Sequence, residues 1–328
     1  MNPLPLISVI IPSYNHAAYI EESIRSVLAS TIQDFELIVV DDGSTDDSCQ
    51  VVRDIRDPRI RFFTQSNAGG HQAMNRAVSV ARGTWLAFLN SDDKYHANKL
   101  EEHLEFHTKC QHLEASASRL EMITASGLHL PLDHPLSCWY GYALQVYRDC
   151  ARLLDSLVVT NHIATSSALF MRKHVFDELG GFVPLKFCHD LHMVISLATR
   201  GRFRILQKPL ISYRVHDKRT MDTDRVQAKL EHHLVAAWHL WQRTRTGQCF
   251  DKYAATLDSI LHYPSVNRAL LVFLLAVVGE ENATLESLVR IVNDPDHPVT
   301  REGRRFFEQT QPKEWFSSHS SVPKGWSD

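Results

Sequence analysis

The stretch Asn90-Ser91-Asp92-Asp93 puts two carboxylates and an amide directly behind an apolar run, Trp85-Leu86-Ala87-Phe88-Leu89, that reads as a buried β-strand. Acidic groups at the C-terminal tip of such a strand lie where open α/β sheets bind ligands. Adjacent carboxylates repel one another. A hard divalent ion, Mg2+ or Mn2+, held by one or two of them and a substrate phosphate, relieves that repulsion. An acidic turn capping the next helix would carry the same residues, so the reading depends on what the other strand tips hold.

Three further segments would meet this one in a single sheet. Pro12-Ser13-Tyr14-Asn15 follows the run Ile7 to Ile11, and a tyrosine at a strand tip can stack on a planar base. Asp41-Asp42-Gly43-Ser44 follows Glu36 to Val40, where a carboxylate can accept hydrogen bonds from a ribose hydroxyl or a base N–H. Asn67-Ala68-Gly69-Gly70 follows Arg59 to Phe63 and offers a flexible backbone that a ligand could approach. Each segment also has a plain reading as a turn or cap, but three acidic or amide-rich tips in one sheet are hard to explain by capping alone. No GxGxxG follows the first strand and the Walker lysine pattern is absent, so a phosphate-bearing ligand would need a metal in place of a glycine cradle.

The elements that position these tips follow from hydrophobic periodicity. The runs Ile7 to Ile11, Glu36 to Val40, Arg59 to Phe63 and Thr84 to Leu89 predict four strands. Helices are predicted between them at Ala17 to Ser30, from Thr45 and Asp46 to about Ile55, and at Gly69 to Ala81. Crossovers this short imply parallel pairing and a sheet covered on both sides. Beyond Asp93, helices are expected at Lys99 to Lys109 and Asp190 to Thr199, and a short one ending at Gly180-Gly181. Strands are expected at Met122 to Ser126, at Ala168 to Arg172, and at Phe203 to Leu206 and Leu210 to Val215, split by Pro209. Leu128 to Tyr147 reads as irregular and aromatic. From about Val226 the chain reads as mostly helical (Leu230 to Arg243, Tyr253 to His262, Arg268 to Val278, Leu285 to Val292), with a loose final dozen residues.

Composition bounds the class. The 328 residues, 44% hydrophobic and 22% charged, suit a soluble globular protein, and a formal charge of −3 carries no footprint for nucleic acid. The six cysteines form no CxxC pair and no regular framework, which favours reduced thiols in a cytoplasmic setting. Met1 to Leu6 lacks the basic segment and apolar core of a signal peptide, and Ala269 to Val278, the longest later apolar run, is too short to span a bilayer. Peripheral contact with the inner face of a membrane and self-association both stay open. The nineteen histidines are scattered without the usual metal-ligand spacings.

Ser8 to Asn15, Val39 to Asp46 and Leu89 to Asp93 together resemble the signatures of family 2 glycosyltransferases, over roughly residues 6 to 216. The resemblance implies an α/β chain with the GT-A fold, Rossmann-like, in which a mostly parallel central sheet is flanked by helices. Residues 1–220 would form that domain, with a nucleotide-sugar half to about 95 and an acceptor half beyond, and 221–328 a helical extension. It further implies that Pro12, Tyr14 and Asp42 hold the nucleotide base with Asp41 close by, Asn15 and Asn67 lying in the same tips. Asp92 and Asp93 match the element that holds the metal and the donor diphosphate, with Asn90 where the family often has aspartate.

Phe187-Cys188-His189-Asp190-Leu191 resembles the family's acidic pair ahead of a helix. That makes Asp190 the catalytic base and puts His189 in place of the usual first acid. Tyr213-Arg214-Val215-His216 resembles an element near the diphosphate, giving Arg214 a contact to the donor and His216 one to the metal. The implied enzyme is an inverting hexosyl- or N-acetylhexosaminyl-transferase. It would use Mn2+ or Mg2+ and a nucleotide-diphosphate sugar, UDP being the commonest in the family, with a glycan, lipid-linked saccharide or protein as acceptor. Gly180-Gly181-Phe182 could line the acceptor site, and Trp139, Tyr140 and Tyr142 could stack on acceptor sugars. Two other readings stay open: a nucleotidyltransferase, against which the first loop lacks Gly, Lys and Arg, and a non-catalytic binding protein on a decayed fold.

Overall fold

The computed structural model describes residues 4–217, 223–245 and 284–309. The helices expected at 253–262 and 268–278 and the expected loose tail lie outside the described residues. The chain divides into two compact units, one of residues 1–129 and 163–217, the other of 130–162 and 218–328.

The first unit is built on eight strands: β1 (Ile7–Ser13), β2 (Phe35–Asp41), β3 (Ile60–Thr64), β4 (Trp85–Phe88), β5 (Lys94–Tyr95), β6 (Ala115–Thr124), β7 (Leu169–Arg172) and β8 (Phe203–Val215). They form one sheet in the order β3-β2-β1-β4-β7-β6-β8-β5. The β3-β2-β1-β4 half is parallel, as the alternation of strand and helix requires, and β7 turns the sheet antiparallel on both of its sides. β1 and β2 are buried on both faces because helices cover the sheet, which explains their unbroken apolar runs. The helices of this unit are α1 (Ile20–Leu28), α2 (Ser48–Asp54), α3 (Gly70–Ser79), α4 (Lys99–Lys109), α7 (Lys173–Glu178) and α8 (His189–Thr199), where α5 and α6 belong to the second unit. This is the GT-A fold, a mixed α/β architecture with a central sheet flanked by helices.

Some elements differ from the sequence reading. β6 is ten residues long, and its first half, Ala-Ser-Ala-Ser, is too small and polar to announce a strand although all four residues are buried. β8 runs through Pro209 without ending. Its pairing with β6 slips beside the proline, and such an irregularity tolerates a residue that cannot donate to the ladder.

The second unit contains α5 (Pro135–Asp149), α6 (Leu153–Val159), α9 (Arg225–Arg245), α10 (Leu285–Asn293) and α11 (Pro298–Gln309). The 128–147 stretch is therefore not irregular. Pro135 opens a helix whose cap, His134, accepts from the Leu136 N–H, and Tyr140, Ala143 and Val146 are buried along it. Tyr142 packs on a core formed by Val146, Val158, Leu230, Leu234, Leu240 and Leu288, so this tyrosine serves packing within the unit. Assigning 130–162 to the acceptor half of the first domain differs from this division, in which the segment clusters with the C-terminal helices. Among the described residues no helix is long and apolar enough to cross a membrane.

One buried network shapes stability. Lys99, His103 and His107 recur every four residues along α4 and face inward, Lys99 and His103 being wholly buried. Lys99 Nζ lies 3.3 Å from His103 Nε2, and both His103 Nδ1 and His107 Nε2 meet Ser116 Oγ at 2.8 and 2.9 Å. Burial pulls the Lys99 ammonium down to about 7, against about 10.4 in an unfolded chain. Burial likewise pulls His103 well below its usual value and His107 to about 4.

In every case the unfolded chain binds more protons, so stability rises with pH. The lysine cost is full below pH 7 and fades toward pH 10, and the imidazole cost sets in as pH falls through about 6.5. Lys99→Met is expected to stabilise the protein at pH 7 by roughly 1–4 kcal/mol and to flatten the climb above pH 7. Thermal melts across pH 5 to 10 check this; a variant with the wild-type slope would exclude it.

Candidate active site

The tips of β1, β2 and β4 are adjacent, and hydrogen bonds join them. Ser13 pairs with Asp41 and accepts from the Asp42 N–H at 2.8 Å, while Leu89 N donates to Ile10 O at 2.9 Å. Asn15 adopts a left-handed φ of 53°, a conformation asparagine tolerates better than most residues. Its backbone N–H donates to Ser44 Oγ at 2.9 Å and its side-chain oxygen accepts from Thr45 N at 2.8 Å. Asn15 is thus a weld between two loops. Tyr14 is 45% exposed at the same edge, and its face is available to a planar group.

The Asp41 carboxylate accepts from Ser44 N at 2.8 Å and from Ser44 Oγ at 2.6 Å, closing its own turn. Asp42 accepts from Gln65 Nε2 (2.7 Å), Ala68 N (2.9 Å) and Gly69 N (2.8 Å), which pins the loop bearing the exposed Asn67. Gly43, with φ +79°, is forced here: a Cβ on it would lie 2.8 Å from Asn67 N.

At the β4 tip the three polar side chains part company. Asn90 donates from Nδ2 to Thr165 Oγ1 and accepts from Ser166 Oγ, each at 3.0 Å. An aspartate there could not make the first of these bonds. Asp93 is fully buried; its oxygens accept from Ser167 Oγ (2.6 Å) and from the Arg214 backbone N–H (3.0 Å). Burial and the neighbouring Asp92 charge push its carboxyl well above the usual range. Both Asp93 oxygens serve protein donors, so the group ties the β4 turn to the 165–167 segment and to β8.

Asp92 keeps 15% of its side chain exposed and meets His216 Nε2 through Oδ2 at 3.0 Å. Burial works to raise its carboxyl, but the His216 hydrogen bond and the nearby His16 outweigh it and hold the group below the usual range.

Arg214 is committed to the protein in a similar way. Its guanidinium is buried and spent on the protein, with Nε on Asp92 O (2.8 Å), Nη1 on Ala125 O (2.9 Å) and Nη2 on Glu22 Oε2. It stacks over the Tyr19 ring at 5.1 Å. Arg214 holds the backbone of Asp92 in place.

Sequence reasoning missed His16. Its Nδ1 lies 2.7 Å from Ser91 Oγ, and its ring meets that of His216 edge-on at 5.6 Å. His16, Asp92 and His216 each offer a ligand atom within 4.8 Å of the others. Two imidazoles and a carboxylate form a donor set suited to a divalent transition ion, so the residues fit the metal that the family resemblance implies. No spacing rule would find it, since the three residues lie on separate segments of the chain.

Asp190 sits in the first turn of α8, buried, with Oδ1 accepting from the Leu191 N–H at 2.6 Å. Its neighbour His189 is pulled down to about 4 by burial, so a neutral imidazole stands where the family has an acid. The His189 ring lies 6.4 Å from that of His71, two residues beyond the Gly69 that Asp42 holds. Asn75 of α3 clamps Phe182, donating to its carbonyl at 2.8 Å and accepting from its N–H at 2.9 Å. A Cβ on Gly181 would strike Asn75 Oδ1 at 2.8 Å. Helix α3 thus connects the base-side loop of the first strands with the segment leading into Asp190, and Gly180-Gly181-Phe182 is first of all a packed turn.

A GT-A sheet with an aspartate–histidine pair at its strand tips defines the class: an enzyme acting on nucleotide-linked sugars. The Glycosyl transferase family 2 profile matches residues 8–180, and the chain belongs to that family. An uncharacterized glycosyltransferase of Rickettsia typhi is 30% identical over 220 residues, 67% of each chain. Among solved structures, S. aureus TarS in complex with UDP-GlcNAc aligns with a TM-score of 0.57 at 18% identity, over 94% of this chain and 93% of that one. The mannosyltransferase PcManGT of Pyrobaculum calidifontis, in complex with GDP-Man and Mn2+, aligns with a TM-score of 0.58 at 15% identity, over 94% and 88%.

The division between Asp92 and Asp93 is testable. Asp92→Asn is expected to lower Mn2+ affinity at least about tenfold. Asp93→Asn should hold it within about threefold, while Asp93→Ala costs about 1–3 kcal/mol of stability by stranding its donors. Calorimetric Mn2+ titration and thermal melts separate the two, and equal metal loss in both asparagine variants would restore Asp93 as a ligand.

Proposed function

We propose that this glycosyltransferase is an inverting enzyme that moves a sugar from a UDP-sugar to a hydroxyl of a glycan, lipid-linked saccharide or protein acceptor, with Asp190 as general base. The observation that carries the reading is the Asp92–His216 pair at the meeting point of the β1, β2 and β4 tips. The UDP-GlcNAc bound to TarS and the GDP-Man and Mn2+ bound to PcManGT support a nucleotide-sugar donor and a divalent ion here.

Each residue then has a task. Tyr14 offers its exposed ring to the base, with Pro12 two residues before it near the end of β1. Asp42, having pinned the Gln65 to Gly69 backbone, keeps acceptor capacity for a base N–H or ribose hydroxyl. Asp92 and His216 would hold Mn2+ or Mg2+, which when bound supplies Lewis-acid stabilisation of the leaving diphosphate. Arg214 fixes Asp92 by gripping its carbonyl.

Across the sugar from the diphosphate, the Asp190 carboxylate takes the proton of the attacking acceptor hydroxyl. The oxygen attacks the anomeric carbon as the bond to the diphosphate breaks, and configuration inverts. A neutral His189 beside it adds no second negative charge to the acceptor side. The chain would act in the cytoplasm, a setting that the five free thiols among the described residues support.

Asp190→Asn is expected to lower the transfer rate by about 10² to 10⁴ while leaving UDP affinity within a few-fold. Calorimetric titration of UDP with and without Mn2+, followed by single-turnover transfer from a UDP-sugar panel, checks both halves. Normal turnover of the variant would remove Asp190 as base. Nucleotide binding without transfer from any donor would favour a non-catalytic sugar-nucleotide binder.

A further inference from the structure

The loop after β1 brings a histidine to the Asp92–His216 pair and holds it there by its own backbone. His16 N donates to Ser48 Oγ at 3.0 Å, and its carbonyl accepts from Tyr19 N and Ile20 N, each at 2.9 Å. On either side, Asn15 N is tied to Ser44 Oγ and Ala17 N to Asp46 Oδ2, at 2.9 and 3.0 Å.

The side chain is oriented as well. Ser91 Oγ meets His16 Nδ1 at 2.7 Å, and the Ser91 carbonyl is itself held by Ser23 Oγ at 2.9 Å. In the tautomer that donates from Nδ1 to Ser91, Nε2 carries the lone pair that a cation takes. Metal-bound histidines almost always have a hydrogen-bond partner on the other ring nitrogen, which fixes tautomer and ring angle in this way. The Tyr19 ring, 6.1 Å from His16 and 4.8 Å from His216, packs beside both imidazoles.

We propose that His16 is a third protein ligand, with Asp92 and His216, of a cation site that fills before the nucleotide arrives and prefers Mn2+ to Mg2+. The proposal rests on the reading that Asp92 and His216 hold the metal, and extends it. A site with one carboxylate and one imidazole needs the donor diphosphate to complete it. A second imidazole gives three protein donors within 4.8 Å of one another, enough to retain a cation without substrate. Imidazole nitrogen also shifts the preference: Mg2+ favours oxygen and water, whereas transition ions accept nitrogen readily. The consequence is an order of binding in which the cation is resident and the donor docks onto it.

The experiment is Mn2+ titration of the full chain without nucleotide, read by the loss of the free-ion electron paramagnetic resonance signal. Electron spin-echo modulation of the bound ion counts its nitrogen ligands. Wild type is expected to bind Mn2+ at least tenfold more tightly than Mg2+ and to show two imidazole nitrogens. His16→Gln, which keeps a polar contact to Ser91, should lose at least tenfold in Mn2+ affinity and show one. His16→Asp should recover binding while narrowing the preference over Mg2+.

Equal Mn2+ affinity in wild type and His16→Gln overturns the proposal, as does a single imidazole nitrogen in wild type. If His16→Gln melts early, the wild-type nitrogen count decides alone. Metal-dependent UDP binding with no binding of Mn2+ to the nucleotide-free chain overturns this inference and leaves the proposed function standing. Mn2+ binding with no nucleotide binding of any kind does the reverse.

Discussion

A carboxylate sealed from water at the end of β4 orders everything around it. Asp93 has no exposed surface, and one of its oxygens takes a 2.6 Å bond from Ser167 while the other takes the backbone N–H of Arg214. The turn after β4, the 3-10 turn at Ser166–Ala168 and the end of β8 are therefore fixed to one side chain. Ser23 of α1 adds a fourth tie, donating to the Asp93 carbonyl at 2.6 Å. With Asp93 turned inward, the chain must present Asp92 outward, toward His216. Leaving such a group unpaired in the interior would cost more than the bonds it makes return, which is why the surrounding hydroxyls are arranged to satisfy it.

The same logic runs through the other tips. Asp41, Asp42, Asn15 and Asn90 all look like ligand-binding groups, and each is engaged in joining loops that would otherwise drift. Arg214 is the extreme case, a buried guanidinium whose donors reach Asp92, Ala125 and Glu22. A strongly polar site in a sheet needs such scaffolding, because three adjacent loops carrying like charges would separate. Binding groups made rigid in this way lose little freedom when a ligand arrives. What this scaffolding leaves at the tips is a short set: the exposed Tyr14 ring and the partly exposed Asp92 edge beside His16 and His216.

Departures from the family pattern become intelligible at this level. Asn90 in place of aspartate supplies the donor that Thr165 accepts and keeps another charge away from buried Asp93. His189 in place of an acid is half-buried and held neutral, meeting Phe182 edge-on at 5.5 Å, so it puts no charge beside Asp190. Neither change touches the Asp92–His216 pair.

The fold of the first hundred residues was legible because it is local. Strands buried on both faces show as unbroken apolar runs, and the helices between them show as amphipathic periods. The tips were legible for a related reason: a motif such as Val39-Val40-Asp41-Asp42 marks its own strand end. Beyond Asp93 that link weakens. The small, polar start of β6, the helix opened by Pro135 and the continuous β8 depend on partners far away in sequence, and burial there overrides composition.

At the candidate site, the amino-acid types alone established that acidic strand tips were present, that no glycine cradle for phosphate existed, and that the family was one of sugar transferases. Only the tertiary structure decided which carboxylate stays partly exposed beside His216 and which is sealed inside, since Asp92 and Asp93 differ by one position and by which way each side chain turns. It also brought His16, Asp92 and His216 within 4.8 Å across two hundred residues of chain. A contact of that kind is set by three-dimensional packing, to which no spacing along the sequence corresponds.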